Sequence, residues 1–423
     1  MQSDSEQNHI KRKNMKKKIL FITGAGASIG FGMPSVREID SLLEKWLSGI
    51  LEIDGSNMNL YKYLQDRIND YYVFCGNVGM KEQTNFEEVL YISMQLSSIS
   101  TNYKKNPLNA FVNFNAFPKI KKFSISQDIE WNDFSFMVQY VVDKLLEDFR
   151  GRCLKVQQNY KNESKSLKGL FDKLNNEFEI GVVTLNYDNL ILQTIPDLKT
   201  GFSPTGNFLP NEIIRSNDWH FCYHLHGSVH FDMQGDEIDM HQIKWNNDLN
   251  STFKQNSSGR NSQLTNESID AITSNIIAGY NKTNQILRYP FSLYYSDMIR
   301  KINEADGFIF IGYGFNDYHL NHAFRESLIR NRKRPVVVID YADNNTDCFQ
   351  CRQDNWTHNL CETILVNASE VGLKGKRCPP SIQHLKKNNL MEASNNQDYP
   401  LAIWYNGLLD ICNYYDVLKD ELT

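Results

Sequence analysis

The stretch KILFITGAGASIGFGMPSVRE, residues 18–38, decides how the rest of the chain is read. It opens with a short apolar run, Lys18 to Thr23, rich in residues that favour strands. The run does not alternate apolar with polar, which suits a strand covered on both faces. Gly24-Ala25-Gly26 ends it, and glycines at that place permit a tight turn. Beyond Pro34, the residues Val36, Ile39, Leu42, Leu43, Trp46 and Leu47 recur at three- and four-residue spacing, which predicts an amphipathic helix.

The same strand signature returns at 180–184, 221–225, 308–311 and 335–339. Helical patterns follow at about 291–303 and from Asp317, a candidate N-cap, through Leu328. Unalternating strands separated by helices predict an α/β fold: a Rossmann-like, mostly parallel sheet flanked by helices. Residues 1–17 form a basic polar segment, and 18–342 form the sheet domain. Within that domain, about 50–178 is expected as a helical insertion, with its clearest helix at Phe136–Phe149, and about 231–285 as a polar excursion. Residues 343–423 are expected as a C-terminal extension with an aromatic helix near Ile403–Leu418, serving as a cap or an oligomer contact.

Composition narrows the classes. Of 423 residues, 41% are hydrophobic and 22% charged, so a buried core is feasible. Lys and Arg total 45 against 50 Asp and Glu, a net charge of -5 that gives no basic excess for nucleic acid. No apolar run reaches the ~18 residues of a membrane span. The run Ile19–Ile22 is too short for a signal-peptide core. The 8 cysteines are scattered, as expected of free thiols in a reducing cytoplasm. Cys348 and Cys351 form a CxxC pair that Cys361 and Cys378 could complete as a zinc site; the second CxxC spacing is missing, and no metal is expected.

Gly24 to Gly30 reads G-x-G-x-x-x-G between a strand and a helix. Glycines there let a backbone approach a pyrophosphate, and the next helix offers N–H groups to anionic oxygens. The spacing is not that of dehydrogenases, and no acidic residue closes a second strand ~20 residues later. His224 and His226 alternate on one short strand with His220 and His230 nearby, open to readings as a metal pair or as structural histidines. Asn186 and Asp188 fit an Asx turn at a strand end.

Taken together, Gly24–Glu38 resembles the sirtuin signature, a GAG-x-S loop followed by Gly-x-Pro and Arg, with Met33-Pro34 and Arg37 at the matching places. Ser35-Val36 stand where that family usually has Asp-Phe. Thr184-Leu185-Asn186-Tyr187-Asp188 looks like its Thr-Gln-Asn-x-Asp motif, and His226-Gly227 like its catalytic His-Gly. Gly312-Tyr313-Gly314-Phe315 sits where sirtuins place a nucleotide loop, and Val336–Asp340 matches the next strand. The resemblance implies that Gly24, Ala25, Gly26, Ser28, Pro34, Arg37, Thr184, Gly312, Gly314 and Asp340 contact NAD. It implies catalytic roles for His226, Asn186 and Asp188.

Residues 228–290 contain no cysteine, so the four-cysteine zinc module of peptide-deacylating sirtuins has no counterpart. Tyr289-Pro290-Phe291 stands where those enzymes carry Phe-Gly-Glu. Both departures resemble the sirtuin-like effector domains of bacterial antiphage systems, which hydrolyse NAD to nicotinamide and ADP-ribose. That resemblance implies NAD as substrate, a homo-oligomer, and a possible partner such as a HerA-type ATPase or an Argonaute. It implies neither a membrane nor a nucleic-acid module. A protein deacylase and a non-catalytic NAD or ADP-ribose sensor remain the alternatives.

Overall fold

In the computed structural model, the run at the head of the chain forms strand β1 (Lys17–Thr23). The structure describes residues 16–75, 84–100, 117–234, 242–250, 262–264, 270–272, 275–279, 285–341, 355–364, 391–394, 398 and 400–423. Six more strands join β1: β2 (Phe178–Thr184), β3 (Phe221–His224), β4 (Gly307–Ile311), β5 (Val336–Ile339), β6 (Met391–Ala393) and β7 (Leu401–Trp404). Their order is β6-β7-β5-β4-β1-β2-β3. Every neighbouring pair is parallel except β6 with β7.

The sequence of β1 explains why it lies inside. Successive side chains of a strand point to opposite faces. Ile19 and Phe21 enter one core, with Leu170, Phe171 and Leu174. Leu20 and Ile22 enter the other, with Phe308, Phe310 and Met298. All four are fully or almost fully buried, and each such burial contributes ~1.5–3 kcal/mol. A polar residue at any of these positions would face a core on either side, hence the unbroken apolar run.

Helices cover both faces. After β1 come α1 (Gly26–Ile29), a single turn, and α2 (Val36–Trp46). Ser35 caps α2 through a capping box with Glu38, satisfying N–H groups that the first turn leaves open. The region before β2 holds α3 (Leu60–Phe74), α4 (Phe86–Ser100), α5 (Trp131–Asn159) and α6 (Lys161–Glu177). A small hairpin, Ile120–Lys122 with Ile125–Gln127, precedes α5. Leu43 of α2 and Val141 and Leu145 of α5 share the core of Phe21. The opposite face is covered by α7 (Phe291–Glu304), α8 (Tyr318–Arg330) and α9 (Asn355–Ile364).

One expectation requires correction. Residues 403–418 do not form one helix. They hold the end of β7, then α10 (Gly407–Ile411) and the start of α11 (Tyr415–Leu422). Leu401, Ile403 and Trp404 are buried, and β7 pairs with β5, so the segment beyond 342 completes the central sheet. A short apolar run carries no period that separates strand from helix. The polar excursion contains short paired strands. Phe231–Gln234 and Gln242–Trp245 pair as an antiparallel hairpin, and Ile276 returns to bridge Gly227. Among the described residues, no helix is long and apolar enough to cross a membrane.

The chain starts at the sheet centre, moves outward through β2 to β3, and then crosses back over β1 to β4. Between the carboxyl ends of β1 and β4 the winding reverses. In open α/β sheets that crevice is where ligands bind.

Candidate active site

The loops leaving the carboxyl ends of five strands carry most of the residues singled out in the sequence. Gly24, Ala25, Gly26 and Ser28 follow β1. Thr184 ends β2, with Asn186 and Asp188 just beyond. His226 follows β3, Gly312 and Gly314 follow β4, and Asp340 follows β5.

The first two loops are tied by one amide. Asn186 Nδ2 donates to Gly24 O at 2.8 Å and to Ser28 Oγ at 3.0 Å. The Asn186 N–H donates to Thr184 Oγ1 at 3.1 Å, which fixes the turn. With Nδ2 committed, Asn186 keeps Oδ1 as an acceptor. Asp188 is buried; one oxygen accepts from Leu190 N at 3.0 Å and Oδ2 has no hydrogen-bond partner. Burial raises its carboxyl pKa, opposed by the Leu190 N–H and by nearby Ser28.

The β1 and β4 loops meet backbone to backbone. Gly24 N donates to Ile311 O at 2.9 Å and Gly26 N to Gly312 O at 3.0 Å. Ala27 N and Ser28 N bond back to Gly24 O and Ala25 O. The amides of Gly24, Gly26, Ala27 and Ser28 are therefore engaged inside the protein. The glycines here serve the close approach of two loops.

His226 reaches across the sheet edge. Its Nε2 lies 3.0 Å from Asp317 Oδ2, with side-chain exposures of 7% and 6%. Both backbones are fixed. His226 O accepts from Ile277 N at 2.8 Å. Gly227 has φ +101°, and a Cβ there would lie 2.5 Å from Asn275 O, so glycine is required after this histidine. Asp317 caps α8, its Oδ1 accepting from Leu320 N at 3.1 Å. The cap reading of Asp317 holds, and the contact with His226 is additional. That contact was hidden in the sequence because a helix cap already accounts for an aspartate at that place.

His224 and His230 are packed into the core. His224 is wholly buried between Phe231 and Trp245, and burial lowers its pKa to about 3. His230 stacks on Trp245 at 4.4 Å and its pKa falls to about 4, again chiefly through burial. Its Nδ1 lies 2.8 Å from Asn246 O and its Nε2 3.0 Å from Asn189 Nδ2. The Nδ1 therefore carries the proton, and the ring is neutral. Among the described residues no group of His, Cys, Asp and Glu is arranged to hold a metal. Cys348, Cys351 and Cys378 lie outside those residues.

Two expected residues stand apart from these contacts. Arg37 is exposed on the first turn of α2. Asp340 Oδ1 accepts from the N–H of its neighbour Tyr341 at 2.9 Å. Pro34 is buried just before the α2 cap. A cavity of about 360 Å3 is lined by Asn189, Gln193, Phe202, His230, Trp245 and Asn247 among others, and not by Asn186, His226 or Asp317.

Fold and site together define a doubly wound α/β domain with a buried histidine–carboxylate pair beyond the carboxyl ends of its strands. Residues 181–358, under half of the chain, match the SIR2-like domain family. That span contains Asn186, Asp188, His226, Asp317 and Asp340, and leaves out the Gly24 loop. No curated protein matches the sequence. Similar solved structures include a Sir2 homologue in complex with NAD, 12% identical with TM-score 0.36, covering 85% of this chain and 92% of that one. Others are a Sir2 homologue mutant with 2′-O-acetyl ADP ribose (12% identical, TM-score 0.32, 85% and 95% covered) and Sir2Tm bound to a propionylated peptide (12% identical, TM-score 0.30, 87% and 98% covered).

Proposed function

We propose that this chain binds NAD and hydrolyses its nicotinamide–ribose bond, releasing nicotinamide and ADP-ribose. The observation that carries the reading is the buried His226–Asp317 pair at the sheet edge that also bears Asn186, within the span matching the SIR2-like domain.

The chemistry asks little of an acid. As the bond between ribose C1′ and the pyridinium nitrogen breaks, nicotinamide leaves with the electron pair and becomes neutral. The ribose is left as an oxocarbenium-like centre, which a water must attack from the opposite face. His226 takes the proton of that water as the new C–O bond forms, then gives it to solvent. Asn186 Oδ1 accepts from the water or a ribose hydroxyl and holds it in line, a positional contribution. Asp188 is buried with an unused oxygen, so a positive charge growing on the sugar favours its ionised form. Gly24, Gly26 and Gly312 hold the two loops that would border the phosphates and adenosine.

The wider role follows the resemblance of the sequence: an antiphage effector restrained by self-assembly or by a partner such as a HerA-type ATPase. The helical insertion, about 50–178, and the C-terminal extension outside the buried strand β7 are the regions we assign to those contacts.

The test is NAD turnover with mass-resolved products for the wild type, His226→Ala and Asn186→Ala, alone and with lysate of phage-infected cells. Nicotinamide and ADP-ribose from the wild type, lost in the folded variants, is the expected outcome. NAD left intact in every condition rejects the hydrolase reading.

A further inference from the structure

We propose that Asp317 is the positioning residue of His226: its carboxylate holds the ring proton on Nε2 and leaves Nδ1 to take the proton of the attacking water. The inference rests on the NAD-hydrolase reading of the site and adds to it which nitrogen acts and what fixes it.

The geometry restricts Asp317 tightly. One oxygen is committed to the α8 cap through Leu320 N at 3.1 Å, so the other is aimed at His226 Nε2 at 3.0 Å. The loop behind it is locked. Phe315 is fully buried with φ +55°, a conformation that costs an L-residue ~1–3 kcal/mol and persists where surroundings enforce it. Asn321 Nδ2 donates to Phe315 O at 2.7 Å, and Tyr313 OH donates to Asn321 Oδ1 at 2.6 Å. A carboxylate accepts and does not donate, so the nitrogen facing it carries the proton. With neither partner more than 7% exposed, solvent screens the pair little.

Among the described residues, several titratable groups lie near the pair. Tyr313 and Tyr295, which feel the Asp317 charge from the β4 loop and from α7, are both driven far above ordinary phenol values by burial and stay neutral. His224 and His230, on either side in the chain, are neutral near pH 7 because burial lowers both. Arg150 of α5 donates from Nε to Val229 O at 2.6 Å, and its charge acts on His230. Asp188 is buried and pushed towards its neutral form.

Two substitutions separate positioning from a merely structural role, because Asn and Ser both serve as good N-caps. In Asp317→Asn the cap claims the amide oxygen, which turns the amide –NH2 towards His226. Nε2 must then accept, and the proton moves to Nδ1, the wrong tautomer. Asp317→Ser keeps the cap, removes the charge and imposes no tautomer.

Using the full chain and NAD, D317N is expected to lower kcat about a thousandfold or more with KM little changed, as wrong-tautomer variants of histidine bases do. D317S is expected to retain at least about tenfold more activity than D317N, general-base assistance being worth ~10²–10⁴ in all. An opposite charge favours imidazolium, so losing it moves the acid limb of the kcat/KM profile of D317S to lower pH, by about one unit. Ring 15N shifts are expected to place the proton on Nε2 in wild type and on Nδ1 in D317N. Turnover in D317N within about threefold of wild type would overturn the proposal. So would equal losses in both variants accompanied by lowered melting temperatures, or one tautomer in all three proteins. If wild type leaves NAD intact, the hydrolase reading has failed, and the ring shifts still decide what Asp317 does.

Discussion

Gly312 lies with its backbone against that of Gly26. A Cβ built on Gly312 would stand 2.2 Å from Ala27 N, and one built on Gly26 would stand 2.8 Å from Gly312 Cα. Two loops from adjacent strands share one layer of space, with room for main chain alone. Gly312 also has φ +55°, where a side chain is strained in any surroundings.

Gly312→Ala is therefore expected to destabilise the fold by ~2–4 kcal/mol, from overpacking together with the left-handed backbone. Gly55, with φ +74° and nothing near its Cβ, provides the control. Its alanine variant meets only the backbone term, ~1 kcal/mol. Urea midpoints measure both, and equal losses would contradict the close-approach explanation.

Asn186 ties the β1 and β2 loops by donating twice. Asn186→Ala removes both bonds and is expected to cost ~1–2 kcal/mol. Asn186→Asp keeps the shape but sets a carboxylate against Gly24 O, so it is expected to be less stable than the alanine variant at pH 7. Recovery of the aspartate variant as pH falls towards 4 would support this ordering, and an aspartate variant as stable as wild type would refute it.

His230 gives the protein a defined acid sensitivity. Its folded pKa, about 4, lies below the unfolded value of 6.5, so between these limits the unfolded chain binds more protons. The sign follows: stability present above pH 6.5 is lost as pH falls towards 4. From pH 7 to 5 the loss through this histidine is on the order of 1–2 kcal/mol. His224 acts in the same direction. Asp40, raised to about 6 by burial, acts oppositely, its native state holding the extra proton between 3.8 and 6. Urea unfolding of wild type and His230→Asn at both pH values is expected to show a shallower decline in the variant, and parallel declines would exclude the assignment.

Strand β7 lies between β5 and β6, and its residues Leu401–Trp404 are all buried. A chain ending at residue 390 lacks both β6 and β7 and uncovers the outer edge of β5, an open row of backbone donors and acceptors. That chain is expected to aggregate or to lose cooperative unfolding. Size-exclusion chromatography with circular dichroism checks this, and a monodisperse, cooperative product would show that the β7 pairing is dispensable.

The parts of this fold legible in the sequence were those where one constraint dominates. The strands β1, β4 and β5 are covered on both faces and so read as plain apolar runs. Helix α2 is legible in its apolar spacing. Strand β7 did not stand out, because Leu401–Trp404 is followed closely by Leu408, Ile411 and Leu418, and their combined spacing imitates a helix. The site divided in the same way. Asn186 and His226 could be named from local motifs at strand ends. Asp317 could not, since its contact spans 91 positions of chain and its local role as a cap is sufficient explanation. The engagement of the Gly24 and Gly26 amides was likewise invisible, because their partners, Ile311 and Gly312, lie nearly three hundred residues later.

The order in which strands enter the sheet also bears on synthesis. The candidate site residues, from Gly24 to Asp340, are all made before the ribosome reaches β7. An interrupted polypeptide can thus contain the whole chemical apparatus and still lack the strand on which its sheet closes. Lys17, at the start of β1, donates through Nζ to the carbonyls of Leu422 and Thr423, so α11 is fastened to the first strand of the sheet. A sheet assembled in this order gains its site-bearing strands before the strand that covers the outer edge of β5.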